Sequence, residues 1–289
     1  MTIIAAIRTH RWDEDAIRLH GQLAPVFGPD LVIAFHDRPE ALTLPGPVVD
    51  LNEGWVAGQG LRVLPDWGWR CGDYFLYAVR QARPDASFIW LVEPDVFFTG
   101  PAEDFFARFR DRPEDLLGVD IARLETDHRF VRGLPGLAPW KSIFALTRFS
   151  AAAADRLFAR RQDYSRGPVG PRFFTNDELF CFSHGVADPE LTTASMKDIA
   201  PDWLPEGALA GDPDLLVDLV AAGGSPVVRH PVRARATFID AVAARAIHNF
   251  GFLRAMRDSL RLLSETERRQ LSERVAEGCL DTITRLTRG

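Results

Sequence analysis

Residues 87–95 read SFIWLVEPD, and this stretch decides how the chain folds. Five apolar residues in succession are typical of a strand that is covered on both faces of a sheet. A segment with helical spacing, GDYFLYAVRQA at 72–82, comes before it. After it, PAEDFFARFRD at 101–111 begins with a proline and early acids, as helices do. A buried strand between two helices predicts the centre of an α/β sheet.

The N-terminal part of the chain repeats this alternation of strand and helix. Residues 2–8 and 30–37 predict strands, and residues 13–27 between them have the spacing of a helix. Residues 42–69, rich in Pro, Gly and Trp, predict a loop. We therefore predict an α/β domain built on parallel strands. Similar patterns predict further strands at 115–122, 142–148 and 225–232, and helices at 150–162 and 176–185.

The C-terminal part has a different pattern, because helices follow one another from Thr237 onward. Within it, Ser264 and Glu267 have the spacing of a capping box at a helix start. We predict a catalytic domain at 1–236 and a helical extension at 237–289. The extension fits three roles: an appendage, a lid, or a face through which the chain forms a homo-oligomer.

Composition excludes several classes of protein. With 289 residues, 46% of them hydrophobic, the chain can bury a large core. A net charge of −6, with basic residues spread along the sequence, argues against a nucleic-acid partner. There is no run of 18 apolar residues, and the first strand has no basic segment before it, so we expect a cytoplasmic protein without a transmembrane segment. Three cysteines without CxxC spacing predict neither a disulfide framework nor a zinc site.

Two acids, Glu93 and Asp95, end the central strand with Pro94 between them. Side chains two apart on a strand point to the same face, so these carboxylates converge if the strand continues through Pro94. They fall at the carboxyl end of the strand, where α/β sheets bind ligands. Burying such charges unpaired costs several kcal/mol, which a divalent cation such as Mg²⁺ or Mn²⁺ removes. An ion pair with arginine, or a solvated turn, is the alternative interpretation.

WRCGDYFLYA at 69–78, followed by WLVEPDVFFTG at 90–100, resembles the nucleotide-sugar glycosyltransferases of the GT-A fold. The resemblance implies a Rossmann-like, mixed but mainly parallel sheet. It also implies an acidic triplet that binds a divalent metal, which bridges the two phosphates of the donor. Here Glu93-Pro94-Asp95 stands in place of the usual Asp-x-Asp, so Asp95 is the principal expected ligand and Glu93 its helper. His230 matches a C-terminal histidine that is a metal or phosphate ligand in the family, and imidazole suits Mn²⁺ better than Mg²⁺. A hydrogen-bonded turn residue is the alternative interpretation of His230.

The resemblance also implies a residue that acts on the acceptor. FFTNDELFCF at 173–182 lies where these enzymes place an acid beneath the acceptor, which makes Asp177 or Glu178 the expected general base. The alternative is structural, since acids in the first turn of a helix stabilise it by roughly 0.3–1 kcal/mol.

By the same resemblance, the donor nucleotide lies at the ends of the first strands. Arg70 would pair with phosphate, and Asp73 would hold a ribose hydroxyl or the sugar. Each of these side chains also fits a surface salt bridge. The full set of expected donor contacts is Arg8, Thr9, Asp37, Arg70 and Asp73.

Tryptophans and a long loop complete the expected site. Trp55, Trp67 and Trp69 either anchor their loop to the core or stack on sugar faces. We expect the loop at 123–140 to close over the donor and exclude water.

Together these features predict a glycosyltransferase of the hexosyltransferase class, using Mn²⁺ or Mg²⁺, as found in polysaccharide biosynthesis. Its partners would be a nucleotide-sugar donor and a glycan or another hydroxyl acceptor. The alternatives are an inactive carbohydrate- or nucleotide-binding module on the same scaffold, or a metal-dependent nucleotidyltransferase. Walker A, G-x-G-x-x-G, G-x-S-x-G and HExxH motifs are all missing from the sequence, which argues against P-loop, dinucleotide, hydrolase and zinc-protease chemistry.

Overall fold

The computed structural model describes residues 1–125, 128–211, 213–247 and 253–287. Its strands are β1 (Ile3–Thr9), β2 (Leu31–His36), β3 (Val48–Leu51), β4 (Phe88–Val92), β5 (Phe97–Phe98), β6 (Leu116–Gly118), β7 (Ala122–Arg123), β8 (Trp140–Lys141), β9 (Leu146–Ser150), β10 (Thr193–Ser195), β11 (Leu215–Leu216), β12 (Val228–Arg229) and β13 (Val232–Arg233). Its helices are α1 (Glu14–Phe27), α2 (Glu53–Gly58), α3 (Trp67–Arg70), α4 (Asp73–Ala82), α5 (Ala102–Ala107), α6 (Ala151–Arg166), α7 (Asp177–Ala187), α8 (Met196–Ile199), α9 (Val217–Ala221), α10 (Arg235–Ala246), α11 (Arg257–Arg261) and α12 (Glu265–Thr287).

One seven-stranded sheet organises the chain, in the order β10-β6-β9-β4-β1-β2-β3. Strand β9 runs antiparallel to its neighbours β4 and β6, and the other pairings in this sheet are parallel. All five residues of β4 are buried, as the unbroken apolar run predicted. The mixed, mainly parallel sheet with β4 at its centre is therefore confirmed.

Helices cover both faces of this sheet. Successive side chains of a strand point to opposite faces, so Ile4 and Ala6 of β1 enter one core while Ala5 and Ile7 enter the other. Helices α4, α6 and α7 pack on the first face, and α1 and α5 pack on the second. The result is a three-layer arrangement that leaves the carboxyl ends of β1, β2 and β4 free to carry polar side chains.

Several parts of the chain differ from the sequence prediction. The strand predicted at 115–122 is divided into β6 and β7, and the strand predicted at 142–148 begins at Leu146 as β9. Residues 42–69, predicted as a loop, contain β3, α2 and α3; β3 joins the sheet edge, and the Asn52 side chain caps α2 by accepting from the Trp55 N–H at 2.8 Å. The strand predicted at 225–232 divides into β12 and β13, outside the main sheet. Strand β12 pairs with β5, which directly follows the acidic triplet, and β13 pairs with β11.

The C-terminal helices pack around a small apolar core of their own. The predicted capping box is present: the Ser264 N–H donates to Glu267 Oε2 at 2.7 Å, and the Glu267 N–H donates to Ser264 Oγ at 3.3 Å. This core includes Leu216, which precedes the predicted boundary at 236/237. Residues 248–252 and 288–289 of the predicted extension lie outside the described residues. Among the helices that are described, none is long and apolar enough to cross a membrane.

Candidate functional site

Glu93, Asp95 and His230 come together at the carboxyl end of β4. One ligand atom from each lies within 4.8 Å of the others. The chain turns at this point, because the Val96 N–H donates to the Glu93 carbonyl at 3.1 Å. The strand therefore ends at Val92 and does not continue through Pro94, yet the turn still brings the two carboxylates together.

His230 lies beside the acids because two short strands from distant parts of the chain pair there. Strand β5 pairs with β12, which ends one residue before His230. Past the histidine, the Val232 N–H donates to the Asp95 carbonyl at 2.8 Å. Backbone pairing on both sides of His230 thus fixes its position beside the triplet.

Each of the three side chains points one atom at a common centre. His230 Nε2 lies 3.3 Å from Glu93 Oε2 and 3.3 Å from Asp95 Oδ1. The second polar atom of each side chain contacts a protein group outside this centre. Arg8 Nη2 lies 2.9 Å from Glu93 Oε1, Arg233 Nη2 lies 2.8 Å from Asp95 Oδ2, and His230 Nδ1 lies 2.7 Å from the Ala210 carbonyl. Outer contacts of this kind orient metal ligands in proteins.

Charge at this centre is set by burial and by the neighbouring ions. Burial lowers the pKa of His230, but the Asp95 and Glu93 carboxylates outweigh it and raise that pKa to about 10. Burial would raise the pKa values of the two acids, but opposite charges, chiefly His230 for Asp95 and Arg8 for Glu93, hold both below their ordinary values. Two ionised carboxylates and one imidazole form a donor set that fits a divalent cation, which would replace the imidazole proton on binding.

Arg8 is engaged by protein groups beneath this centre. Besides Glu93, it contacts Asp177 Oδ2 at 3.0 Å and the Trp69 carbonyl at 3.4 Å. Gly72 packs directly against it, since a Cβ there would lie 1.4 Å from Arg8 Nη1. Arg8 therefore links Glu93 to the start of α7, and protein groups engage the guanidinium that we expected to contact the donor.

The two candidate bases at the start of α7 have different surroundings. Asp177 is buried, and its carboxylate accepts from Arg8, from the Gly72 N–H at 2.8 Å and from the Glu178 N–H at 2.8 Å. Burial raises the pKa of Asp177 to about 7, although Arg8 acts in the opposite direction. With both oxygens bonded to the protein, Asp177 is placed to hold the first turn of α7.

Glu178 is half-buried in the first turn of α7, next to Asp177. Its carboxylate accepts a hydrogen bond of 3.4 Å from Asn176, the residue that caps α7. Burial and the negative charge of Glu93 raise the pKa of Glu178, and Lys141 opposes them. A carboxylate with a raised pKa that remains accessible to solvent suits proton transfer, so Glu178 fits the base role better than Asp177.

Asp73 and Arg70, two of the expected donor contacts, lie elsewhere. Asp73 is fully buried, and both its oxygens bind Arg161, with Nε–Oδ2 at 2.6 Å and Nη2–Oδ1 at 2.9 Å. Arg70 is buried too and donates to the Pro171 carbonyl at 2.6 Å. Neither side chain has a free surface for a ribose or a phosphate, so the structure does not support their predicted roles.

Thr9 and Asp37 end the first two strands, as expected from the sequence. The Thr9 hydroxyl is buried and donates to the Arg11 carbonyl at 2.6 Å. Asp37 is exposed, with a positive φ of 53°, and contacts His36 Nε2 at 3.0 Å. Of the five expected donor contacts, Asp37 is the one whose side chain is open to a ligand.

Two of the loop tryptophans differ in exposure, and the loop at 123–140 is partly buried. Trp67 is 2% exposed and belongs to the core, whereas Trp69 is 64% exposed beside Arg8. In the loop at 123–140, Phe130 and Leu134 are buried in the core between the sheet and helices α4, α6 and α7. This segment is therefore anchored at these two residues. Thr126 and Asp127 of that loop lie outside the described residues.

Arg233 and the buried acids around it were missed by the sequence analysis. Arg233 lies three residues after His230, and that proximity was the available signal. Its carboxylate partners come from other parts of the chain, and the sequence pattern does not reveal them.

Comparison with known proteins finds distant structural similarity. No protein-family model matches the chain, and no curated protein matches it. A 4-diphosphocytidyl-2C-methyl-D-erythritol synthase from Anaerococcus prevotii is 10% identical with a TM-score of 0.38, over 67% of this chain and 88% of that one. Mouse xyloside xylosyltransferase 1 is 14% identical with a TM-score of 0.36, over 67% and 84% of the two chains. At these TM-scores the similarities do not by themselves indicate an activity.

Proposed function

We propose that this chain is a glycosyltransferase that moves a sugar from a nucleotide-diphosphate donor to a hydroxyl acceptor. The observation that carries the proposal is the convergence of Glu93, Asp95 and His230 at the carboxyl end of the central strand. A divalent cation held there would supply positive charge that stabilises the leaving diphosphate. Asp37 and the exposed Trp69 lie at the same edge of the sheet and are the open side chains that a donor would meet.

The chain's own residues prepare the acceptor side. Glu178 accepts the proton of the acceptor hydroxyl, because its raised pKa brings it closer to neutral pH than an ordinary glutamate. Asp177, bonded to Arg8 and to the Gly72 N–H, fixes the first turn of α7 and with it the position of Glu178. A base placed in this way contributes about 10²- to 10⁴-fold to the rate.

A metal-dependent nucleotidyltransferase would use the same cation site, since metal ions also bridge phosphates in that reaction. When the acceptor of that reaction is a sugar phosphate, however, the nucleophile is a phosphate oxygen that is already anionic and requires no base. Glu178 would then have no proton to accept. The half-buried carboxylate of Glu178, whose pKa the charge of Glu93 helps to raise, is the reason to favour transfer to a hydroxyl group.

A thermal-shift screen tests the donor site. UDP-, GDP- and dTDP-hexoses are added with and without Mn²⁺ to the wild type, Asp95→Asn and Asp50→Asn. Asp50 is the matched control, because it pairs with Arg38 on the exposed edge of the sheet. A donor at 100 times its Kd stabilises by about 2.7 kcal/mol. We expect this shift in the wild type and Asp50→Asn, and its loss in Asp95→Asn or without Mn²⁺; no shift with any donor would contradict the proposal.

The released product then separates the three candidate functions. A nucleoside diphosphate released in the presence of a hydroxyl acceptor indicates glycosyl transfer, and the sugar it carried shows whether the hexosyltransferase class is correct. Pyrophosphate release from a nucleoside triphosphate and a sugar phosphate indicates nucleotidyl transfer. Metal-dependent binding with neither product indicates an inactive binding module.

A further inference from the structure

Arg233 contacts carboxylates from three separate parts of the chain. Its Nη2 lies 2.8 Å from Asp95 Oδ2, its Nε lies 3.1 Å from Asp214 Oδ1, and its Nη1 lies 3.9 Å from Asp15 Oδ2. Asp15 is 1% exposed and Asp214 is 0% exposed. Carboxylates buried to this degree are costly unless a positive charge is near. Arg233 reaches all three acids, and Asp15 has a second partner in Arg18 Nη1, 2.9 Å from its Oδ1.

The same acids attach the C-terminal helix α10 to this guanidinium. Asp214 Oδ2 lies 3.3 Å from Nε of Arg245, which belongs to α10. Asp15 Oδ1 accepts a hydrogen bond of 2.6 Å from the N–H of Ala234, the residue just before α10. Arg233 therefore lies between the helical extension on one side and the cation-facing carboxylate of Asp95 on the other.

We propose that Arg233 is a positioning residue that sets the affinity of Asp95 for the cation, and that α10 holds Arg233 in place through Asp214. The proposal rests on the cation site of the proposed function. By fixing Asp95 Oδ2, Arg233 leaves Oδ1 turned toward His230 Nε2, where a cation would bind. Without the guanidinium, the Asp95 carboxylate is free to rotate and three neighbouring acids lose a shared counter-charge. Helix α10 then supports the cation site through Asp214.

The opposite role for Arg233 would be competition, in which the guanidinium blocks the cation from Asp95. The geometry favours positioning, because Arg233 binds Oδ2 while Oδ1 faces the common centre. The two roles predict opposite results. Removing a competitor tightens cation binding, whereas removing a positioning group weakens it.

Calorimetric titration with Mn²⁺ alone tests the proposal on the full chain. Outer contacts of metal ligands are typically worth about 10- to 100-fold in metal affinity, so we expect that loss in Arg233→Gln. Arg233→Lys keeps the charge but not the forked geometry, and we expect an intermediate Kd. Arg38→Gln, which removes an arginine from the exposed pair with Asp50, should bind Mn²⁺ as the wild type does.

Asp214→Asn provides a second test, which remains available if Arg233→Gln fails to fold. This variant leaves the side chains of Glu93, Asp95 and His230 unchanged. We expect weaker Mn²⁺ binding in this variant also, because Arg233 loses its partner on the far side. A Kd equal to that of the wild type in the folded variants, with only a lower unfolding midpoint, would make Arg233 purely structural and the proposal wrong. Tighter Mn²⁺ binding would equally overturn it. If the wild type itself binds no Mn²⁺, the cation site of the proposed function fails, which is a separate result.

Discussion

Two of the groups in which arginines meet buried acids differ in the partners that the carboxylate oxygens have. In the sealed pair, Asp73 and Arg161, both side chains have 0% exposure. Arg161 binds both Asp73 oxygens and the Thr175 carbonyl, and the Tyr77 hydroxyl also donates to Asp73. In the cation site, Glu93 and Asp95 each keep one oxygen turned to a shared centre. The sealed pair leaves no atom for another group, whereas the oxygens that face the shared centre of the cation site contact the imidazole of His230, whose proton a divalent cation would replace.

This difference shows what distinguishes a functional buried acid from a structural one. An acid near the core is not in itself a sign of chemistry, because a full set of protein donors satisfies it. Acids that share a titratable imidazole can exchange its proton for a metal ion, whereas acids held by a guanidinium alone have no proton to exchange. The distinction depends on where each oxygen points, and it can be tested by removing single groups from each cluster.

The largest expected effect comes from Glu178, which borders the cation site. Glu178→Gln should lower turnover by about 10²- to 10⁴-fold, because the amide cannot accept the acceptor proton. Donor binding in Mn²⁺ should stay as in the wild type. Steady-state release of the nucleoside diphosphate measures the first quantity, and calorimetry the second.

The matched control for this prediction is Glu53→Gln, an acid in the first turn of α2. If first-turn acids matter here only by stabilising a helix, both variants should lose little stability and no turnover. Wild-type turnover in Glu178→Gln would remove Glu178 from the mechanism.

The sealed pair should show the next largest effect, and on stability alone. Arg161→Met leaves Asp73 as an uncompensated buried charge, which costs about 3–5 kcal/mol of the free energy of unfolding. The double variant Asp73→Asn with Arg161→Met should recover part of this loss. Urea denaturation measures each value. A loss below about 1 kcal/mol would show that the pair is not the stability element that its burial indicates.

Removing the cation should have a smaller effect, confined to the cation site. Mn²⁺ at 100 times its Kd stabilises the folded chain by about 2.7 kcal/mol, and EDTA should remove this increment. Arg8→Lys should keep part of it, because Lys retains the charge next to Glu93 but not the fork that also reaches Asp177. Thermal denaturation with and without EDTA gives the increment for each protein. An increment that survives in Asp95→Asn would place the cation elsewhere.

The sequence revealed the cation site better than the sealed pair, for a physical reason. Glu93 and Asp95 are two residues apart at the end of an apolar run, so local pattern alone marks them as unusual. Asp73 and Arg161 are 88 positions apart, and Arg8 and Asp177 are 169 apart. Each of these side chains looks available for a ligand until its distant partner is known. The layers of the fold follow from local periodicity, whereas pairing between layers depends on tertiary packing.

A third arginine–carboxylate group gives the smallest expected effect and serves as a reference for the other two. Asp188 is buried at the end of α7, and Arg156 and Arg160 reach it from the surface. Hydrogen bonds from Arg156, with help from Arg160, hold the pKa of Asp188 down to about 2, against an ordinary value of 3.8. Because the folded pKa is the lower one, the stabilisation is fully present above about pH 4 and is lost as pH falls through 2.

Asp188→Asn should therefore remove part of the acid dependence of stability and leave the rest of the pH profile unchanged. Both arginines are more than one-third exposed, so solvent screens the interaction and the change should be small. Urea midpoints at pH 5 and pH 2.5, for the variant and the wild type, measure it. A difference between the two proteins that is the same at both pH values would mean that the arginines contribute packing and not charge. Asp188 and its arginines would then stabilise the fold through packing, whereas the sealed pair stabilises it through charge.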